Sequence, residues 1–183
     1  TGVLNHPRRP NFWVTVFTKK NYGKYGTPTL GAKMTDFHEQ PFSARFNAMG
    51  DMAEGIFDQI HPKNHELGLN RPPFGMAGMT ANMRYVPDRM RRDAFVEVMG
   101  IGRGQALKVK LEKFEALQAW ATIGPVELFI YDSHNHRYWE GPLDAWLWAY
   151  QDAEHGFYPD NGKEYVTLPA NQFPFDPTDI PNV

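Results

Sequence analysis

The chain lacks cysteine altogether, since none of its 183 residues is Cys. Disulfide frameworks, thiol nucleophiles and cysteine zinc sites are therefore excluded. An apolar run of about 18 residues is also missing, so no transmembrane helix is predicted. The N-terminus is polar and rich in proline and lacks the pattern of a signal peptide. We therefore expect a protein of the cytoplasm, or of a virion, with no membrane partner.

An excess of positive charge is missing as well. The formal net charge is −2 and the sequence pI is about 6.4, which argues against a strongly basic nucleic-acid binder. The charge is uneven, however, because residues 84–113 hold eight Lys and Arg against four acids. Such a segment suits either a phosphate-binding cleft or a solvated basic face, and the sequence leaves both open. The basic residues are Arg84, Arg89, Arg91, Arg92, Arg103, Lys108, Lys110 and Lys113.

Composition divides the chain into three segments. Residues 1–41 scatter Pro, Gly and Asn and are predicted to form an extended N-terminal arm. Residues 42–152 carry periodic apolar patterns and are predicted to form the folded core. Residues 153–183 are acidic and rich in proline, which predicts a C-terminal arm. Because arms of this composition fray unless something holds them, we expect a homo-oligomer or a larger assembly.

The periodicity of apolar residues within the core segment predicts an α/β fold. The predicted elements are a helix from Ser43, strands over residues 82–86, 94–98 and 106–110, a helix over 111–122 and a strand over 126–131. This order predicts a mixed central sheet flanked by helices. The sequence His-Asn-His at residues 134–136 is predicted to be a hairpin turn and not an HNH nuclease site.

Two acids stand out in this pattern. Pro87-Asp88 lies before the predicted strand over residues 94–98, and Glu97 lies inside that strand among β-branched and aromatic residues. A buried carboxylate is costly unless it binds a metal or finds a partner. Glu54, at the edge of the apolar face of the first helix, is a third candidate. Two acids joined by a tight turn and a strand suit a divalent cation that prefers oxygen ligands.

These residues resemble the PD-(D/E)xK nuclease superfamily. In that family a Pro-Asp precedes a strand ending in Glu or Asp, any residue, and Lys, usually followed by Gly. Met99 stands where the family has its lysine, and the matching residues are Pro87, Asp88, Glu97, Val98 and Gly100. The order Glu54, Asp88, Glu97 is similar to the phage T7 endonuclease I branch, which includes Holliday-junction resolvases. The resemblance covers roughly residues 43–131 and implies a restriction-endonuclease-like core.

The resemblance implies a metal-dependent DNA endonuclease, phage-encoded by analogy. Asp88 and Glu97, with Glu54 and the carbonyl of Val98, would bind Mg²⁺ or Mn²⁺. The missing catalytic lysine would be replaced by Lys108 or Lys110, with Arg103 as a weaker substitute. The expected DNA contacts are Arg84, Arg89, Arg91, Arg92, Arg103 and Lys113.

Met99 keeps a second hypothesis open, a catalytically inactive nuclease fold with a structural role, such as a phage head or neck component. Methionine carries no charge and donates no strong hydrogen bond. Losing a positioned cationic donor costs on the order of a hundredfold or more in rate. The acidic pI and the two predicted arms also favour this alternative. DNA binding without cleavage lies between the two hypotheses.

Overall fold

A computed structural model describes residues 42–68, 78–159 and 162–180 of the chain. Four helices and nine strands account for most of these residues. The predicted N-terminal arm lies outside the described residues. The helices are α1 (Phe42–Ile60), α2 (Ala81–Arg84), α3 (Leu111–Ala121) and α4 (Leu143–Tyr150). The strands are β1 (His65–Glu66), β2 (Arg89–Met90), β3 (Phe95–Ile101), β4 (Ala106–Lys110), β5 (Val126–Asp132), β6 (Arg137–Pro142), β7 (Glu154–Phe157), β8 (Glu164–Pro169) and β9 (Thr178–Asp179).

The main sheet has six strands in the order β1-β2-β3-β5-β6-β9. Its central pair, β3 and β5, is parallel, and the other neighbouring strands are antiparallel. A parallel pair needs a crossover connection, and here β4 and α3 supply it. The mixed sheet flanked by helices confirms the general α/β class predicted from the sequence. Among the described residues, no helix is both long and apolar enough to cross a membrane.

The two faces of the main sheet carry separate apolar clusters, because successive strand residues point to opposite sides. On one face, Val96 and Val98 of β3 pack with Phe129 of β5 against Ala53 and Phe57 of α1. The opposite face holds the larger cluster, to which α3 and α4 contribute Phe114, Leu117, Leu143 and Trp146 and the main sheet contributes Ile101, Leu128 and Ile130. Residues of β3 with odd numbers therefore face α3, and those with even numbers face α1.

A second sheet has the strand order β4-β8-β7, with both pairs antiparallel. It includes residues of the segment predicted as an extended C-terminal arm, so the structure differs from that prediction. Val166 and Leu168 of β8 and Phe173 are buried in the larger apolar cluster. The sequence signal was dominated by the acids and prolines of this segment, although its alternating apolar residues supply one face of a strand.

Several local predictions are confirmed. Strands β4 and β5 and helix α3 fall where the periodicity placed them, and residues 133–136 form the turn between β5 and β6. The strand predicted over residues 82–86 is wrong, because residues 81–84 form the short helix α2. Trp120 of α3 donates its indole N–H to the carbonyl of Asn82 at 3.1 Å, so packing on α3 holds this turn.

Candidate active site

The β2–β3 hairpin brings Asp88 and Glu97 together. Its register pairs Arg89 with Val96 and Met90 with Phe95, so Asp88 stands opposite Glu97 one step further from the turn. Hydrogen bonds to both the side chain and the backbone carbonyl hold Asp88 in place. Its Oδ2 accepts a hydrogen bond from the N–H of Val98 at 3.0 Å. Its carbonyl accepts from the N–H groups of Leu67 and Gly68 at 3.0 and 3.2 Å.

Glu97 is the more deeply buried of these two acids, with 1% of its surface exposed. It points from β3 toward α3, where the ammonium of Lys113 contacts its Oε1. Burial raises the pKa of Glu97 well above the ordinary 4.5, the neighbouring Asp88 carboxylate raises it further, and Lys113 acts against both. Its second oxygen, Oε2, has no hydrogen-bond partner in the part of the chain that the structure describes. Glu97 thus has one oxygen paired with a cation and one buried beside the Asp88 carboxylate.

Lys113 lies in the first turn of α3, three residues after Lys110, which occupies the N-cap position. Its side chain is 24% exposed, so the ammonium reaches Glu97 from the rim of the buried region. Burial alone would lower the pKa of Lys113, but the carboxylates of Glu97, Asp88 and Glu54 together raise it. Lys113 is therefore a firmly protonated donor beside two acids.

Met99, at the position where the resemblance leads one to expect a lysine, does not join this group. It shares the α3 face of β3 with Glu97, because the two are separated by two residues along a strand. Its side chain packs against the larger apolar cluster. The structure therefore brings a lysine to Glu97 from the helix that covers this face and has an apolar side chain at position 99.

Glu54 of α1 approaches the hairpin from the other face of the sheet. Its Oε2 accepts a hydrogen bond from Arg89 Nη2 at 2.9 Å, and Arg89 Nε donates to Asp58 at 3.1 Å. Burial raises the pKa of Glu54, Arg89 lowers it and Asp88 raises it. Arg89, predicted to contact DNA, is only 6% exposed and holds α1 against the hairpin. The candidate site therefore combines four carboxylates with two cations, a net formal charge of −2.

The donors available to a metal ion are two carboxylates and a carbonyl. Among the described residues, no group of three or more His, Asp or Glu side chains is arranged to hold a metal ion together. Mg²⁺ typically takes one or two carboxylates and keeps several waters, so the Asp88–Glu97 pair fits that requirement. The N–H of Val98 points to Asp88, and the N–H and C=O of one strand residue share a side, so the carbonyl of Val98 faces the same acid. The buried Oε2 of Glu97, which lacks a hydrogen-bond donor and lies beside a second carboxylate, is the observation that favours a cation here.

The other predicted cations lie apart from Glu97 or are already paired. The ammonium of Lys108 lies 5.0 Å from the ring centre of Tyr165, and that of Lys110 lies 5.8 Å from the ring centre of Tyr158. Arg84 pairs with Glu112 at 3.4 Å, whereas Arg91 bridges Glu127 and Glu140 at 2.5 and 2.6 Å. Arg92 and Arg103 are exposed. The predicted DNA contacts stay predictions.

Sequence reasoning placed Lys113 among the DNA contacts and missed its contact with Glu97. A signal did exist: Lys113 precedes the inward-facing Phe114 in a helix that must cover one face of the sheet. The length of the crossover, however, does not determine which turn of α3 contacts β3. The contact depends on where the second sheet positions the helix.

Comparison of the chain with protein-family models, with curated proteins and with solved structures finds no match to any of them. The geometry of the hairpin and of α3 is therefore the basis on which a function can be proposed.

Proposed function

We propose that this chain is a metal-dependent DNA endonuclease of the PD-(D/E)xK kind in which Lys113 takes the role of the motif lysine. The observation that carries the proposal is the contact between the Lys113 ammonium and the buried Glu97 carboxylate, directly beside Asp88. The order of helix, hairpin, crossover helix and parallel strand supports the restriction-endonuclease-like core that the motif implies.

Each residue has a task that follows from its surroundings. Asp88, Glu97 and the carbonyl of Val98 would hold Mg²⁺ or Mn²⁺. Such an ion, when bound, supplies an activated water and stabilises the charge of the phosphate undergoing attack. Lys113, kept protonated by the surrounding acids, donates hydrogen bonds to a phosphate oxygen or to the attacking water. Arg89 neutralises Glu54 and keeps the hairpin in place.

The decisive experiment compares cleavage of plasmid, single-stranded and four-way-junction DNA by the full chain with Mg²⁺ or Mn²⁺. The variants are Glu97→Gln, Lys113→Met and, as a matched control, Lys63→Met, which removes an exposed lysine in the turn after α1. We expect the first two to lose activity by about a hundredfold or more and the control to match the parent chain.

Two results would count against the proposal. One is a parent chain, folded by circular dichroism, that leaves all three DNA forms intact with both metals. The other is an equal effect of Lys113→Met and Lys63→Met on the rate, since Lys63 is an exposed residue of the turn after α1 and is not part of the candidate site.

A second candidate is a nuclease fold kept for assembly, and a specific observation favours it. Both acids already have a protein partner, because Asp88 binds the N–H of Val98 and Glu97 binds Lys113. In that case neither metal would raise the thermal midpoint of the parent chain more than that of Glu97→Gln. Light scattering would then show a defined oligomer, whereas a lone monomer would speak against this candidate.

A further inference from the structure

The outer face of the second sheet differs from the rest of the described surface. Alternation along the strands sends the apolar residues of β4 and β8 into the larger cluster. The opposite face presents cations and phenol rings to solvent. We call it the lysine–tyrosine face and define it by Lys108 and Lys110 of β4, Tyr165 of β8, and Tyr158, which follows β7.

The four side chains of this face interleave. Register pairs Lys110 with Tyr165, and the rings of Tyr158 and Tyr165 lie 4.6 Å apart between centres, tilted by 52°. The ammonium of Lys108 lies 5.0 Å from the Tyr165 ring centre, and that of Lys110 lies 5.8 Å from the Tyr158 ring centre. A Cβ at Gly156, the partner of Tyr165 on β7, would lie 2.6 Å from that ring, so glycine lets the ring lie across the edge strand.

Alternating cations and aromatic rings on a sheet are the requirements of a single-strand platform. Lysines attract successive phosphates, while rings stack on bases that have no pairing partner. A duplex hides its bases from such rings, so a duplex gains only the phosphate contacts. The chemistry of this face therefore favours a single strand over a duplex.

The lysine–tyrosine face continues into the candidate active site. Lys110 ends β4 and occupies the N-cap position of α3, and Lys113 lies one turn further along the same helix. Beyond it, the Tyr85 hydroxyl binds Glu112 of α3, and Tyr85 lies three residues before Asp88. Glu112 also contacts the ammonium of Lys163, whose backbone carbonyl accepts a hydrogen bond from the N–H of Tyr158 at 2.9 Å, so Tyr85 and the lysine–tyrosine face share neighbours.

We propose that the lysine–tyrosine face binds a single-stranded segment of the nucleic-acid substrate and leads it along the first turn of α3 toward Glu97 and Lys113. The inference rests on the proposed function for the choice of substrate. It adds a preference for DNA with unpaired bases, such as a flap or an opened branch. Its binding step needs no metal and no cleavage.

An acid that lies beside the lysine–tyrosine face, Glu154, tests the electrostatic part of the idea. Glu154 of β7 stands across Thr167 from Lys108 and is exposed. Its carboxylate repels a phosphate held by Lys108. Removing this charge should therefore strengthen binding, which a face without a role in binding would not show.

The test is the fluorescence anisotropy of a labelled oligonucleotide with the full chain in EDTA, over a series of salt concentrations. Single-stranded and duplex DNA of equal length are compared. The variants are Tyr165→Leu, the double change Lys108→Gln with Lys110→Gln, and Glu154→Gln. The control is Lys63→Gln, which removes an exposed lysine in the turn after α1.

We expect single-stranded DNA to bind more tightly than duplex. Tyr165→Leu should weaken single-strand binding at least about fivefold, the lower end for losing one stacking ring. The double lysine change should make the slope of log K against log salt less negative by about 1.4, since each phosphate contact on a single strand contributes about −0.7. Glu154→Gln should tighten binding, and Lys63→Gln should leave it unchanged.

Equal affinity for single and duplex DNA, or equal effects of the face variants and Lys63→Gln, would overturn the inference. Failure of the proposed function gives a different pattern. In that case single-strand binding responds to the face variants as expected, yet no DNA is cut with either metal. Conversely, a chain that cuts DNA at a rate indifferent to Tyr165→Leu would keep the proposed function and refute the single-strand platform.

Discussion

Replacing Lys113 by methionine isolates the energy of its contact with Glu97. Removing one partner of a buried ion pair typically costs about 3–5 kcal/mol, because the other charge stays buried without compensation. Glu97 is 1% exposed, but the Lys113 side chain is 24% exposed, which places the expected cost at the lower end, about 3 kcal/mol. For a chain of this size that loss lowers the thermal midpoint by about 6–12 °C.

The double variant Glu97→Gln with Lys113→Met completes the cycle. A glutamine at position 97 has nearly the shape of the glutamate but carries no charge that would be buried without a partner. The double variant should therefore recover most of the stability lost in Lys113→Met. Its amide can also donate a hydrogen bond toward the Asp88 carboxylate. Urea unfolding followed by tryptophan fluorescence measures the free energy of unfolding of Lys113→Met, Glu97→Gln and the double variant. Lys108→Met is the control for removing a lysine elsewhere.

The cost of Lys113→Met should also depend on pH. The folded protein raises the pKa of Glu97 above the ordinary 4.5, so the folded state binds a proton more readily than the unfolded state does. The contribution of Glu97 is therefore favourable near pH 4.5 and is lost as the pH rises through the folded pKa. Without the Lys113 cation the folded pKa rises further, so the cost should be larger near pH 8 than near pH 5. Equal stabilities of Lys113→Met and Lys108→Met at both values would refute a buried charge pair.

Three further changes test other parts of the argument. Met99→Lys should lower the free energy of unfolding by urea and leave nuclease activity no higher than that of the parent chain, because Met99 packs against the core and Lys113 already contacts the acid. Asp132→Ala should cost at least about 2–3 kcal/mol in urea unfolding near neutral pH, because the fully buried carboxylate accepts charge-assisted hydrogen bonds. Burial raises its pKa, but those hydrogen bonds lower it below the ordinary 3.8 overall, so the difference from the parent should shrink as the pH falls through the folded pKa. Gly100→Ala should cost about 1–3 kcal/mol in thermal unfolding, because its Cβ would lie 2.9 Å from the carbonyl oxygen of Met49 in α1.

The local pattern predicted the acids better than it predicted their partners. Asp88 and Glu97 could be paired from sequence, because a tight turn between a Pro-Asp and a strand fixes the register over a few residues. Glu54 could be placed on an amphipathic helix, yet its contact with Arg89 depends on how α1 crosses the hairpin. Such partners depend on the packing of elements distant in sequence, which periodicity does not encode.

The second sheet is another element whose formation depends on contacts between segments distant in sequence. The segment that contains β8 contains enough proline and acid to suggest an arm, and composition over about thirty residues outweighed a short alternating run of apolar residues. Val166 and Leu168 are nevertheless buried, because β4 offers them an open edge. That edge comes from the crossover between β3 and β5, so the strand could be recognised only after the topology was known.

Under the proposed function, the contact of Lys113 with Glu97 accounts for a methionine at position 99. A lysine two residues after Glu97 on β3 and a lysine in the first turn of α3 both project into the space between the sheet and the helix. Two ammonium groups there would repel each other, so one lysine excludes a second. Because Lys113 comes from α3, β3 can use position 99 for an apolar side chain that extends the core. On this argument Lys113→Met combined with Met99→Lys should recover part of the cleavage that Lys113→Met loses, whereas no recovery would show that position 99 is out of reach of the acids.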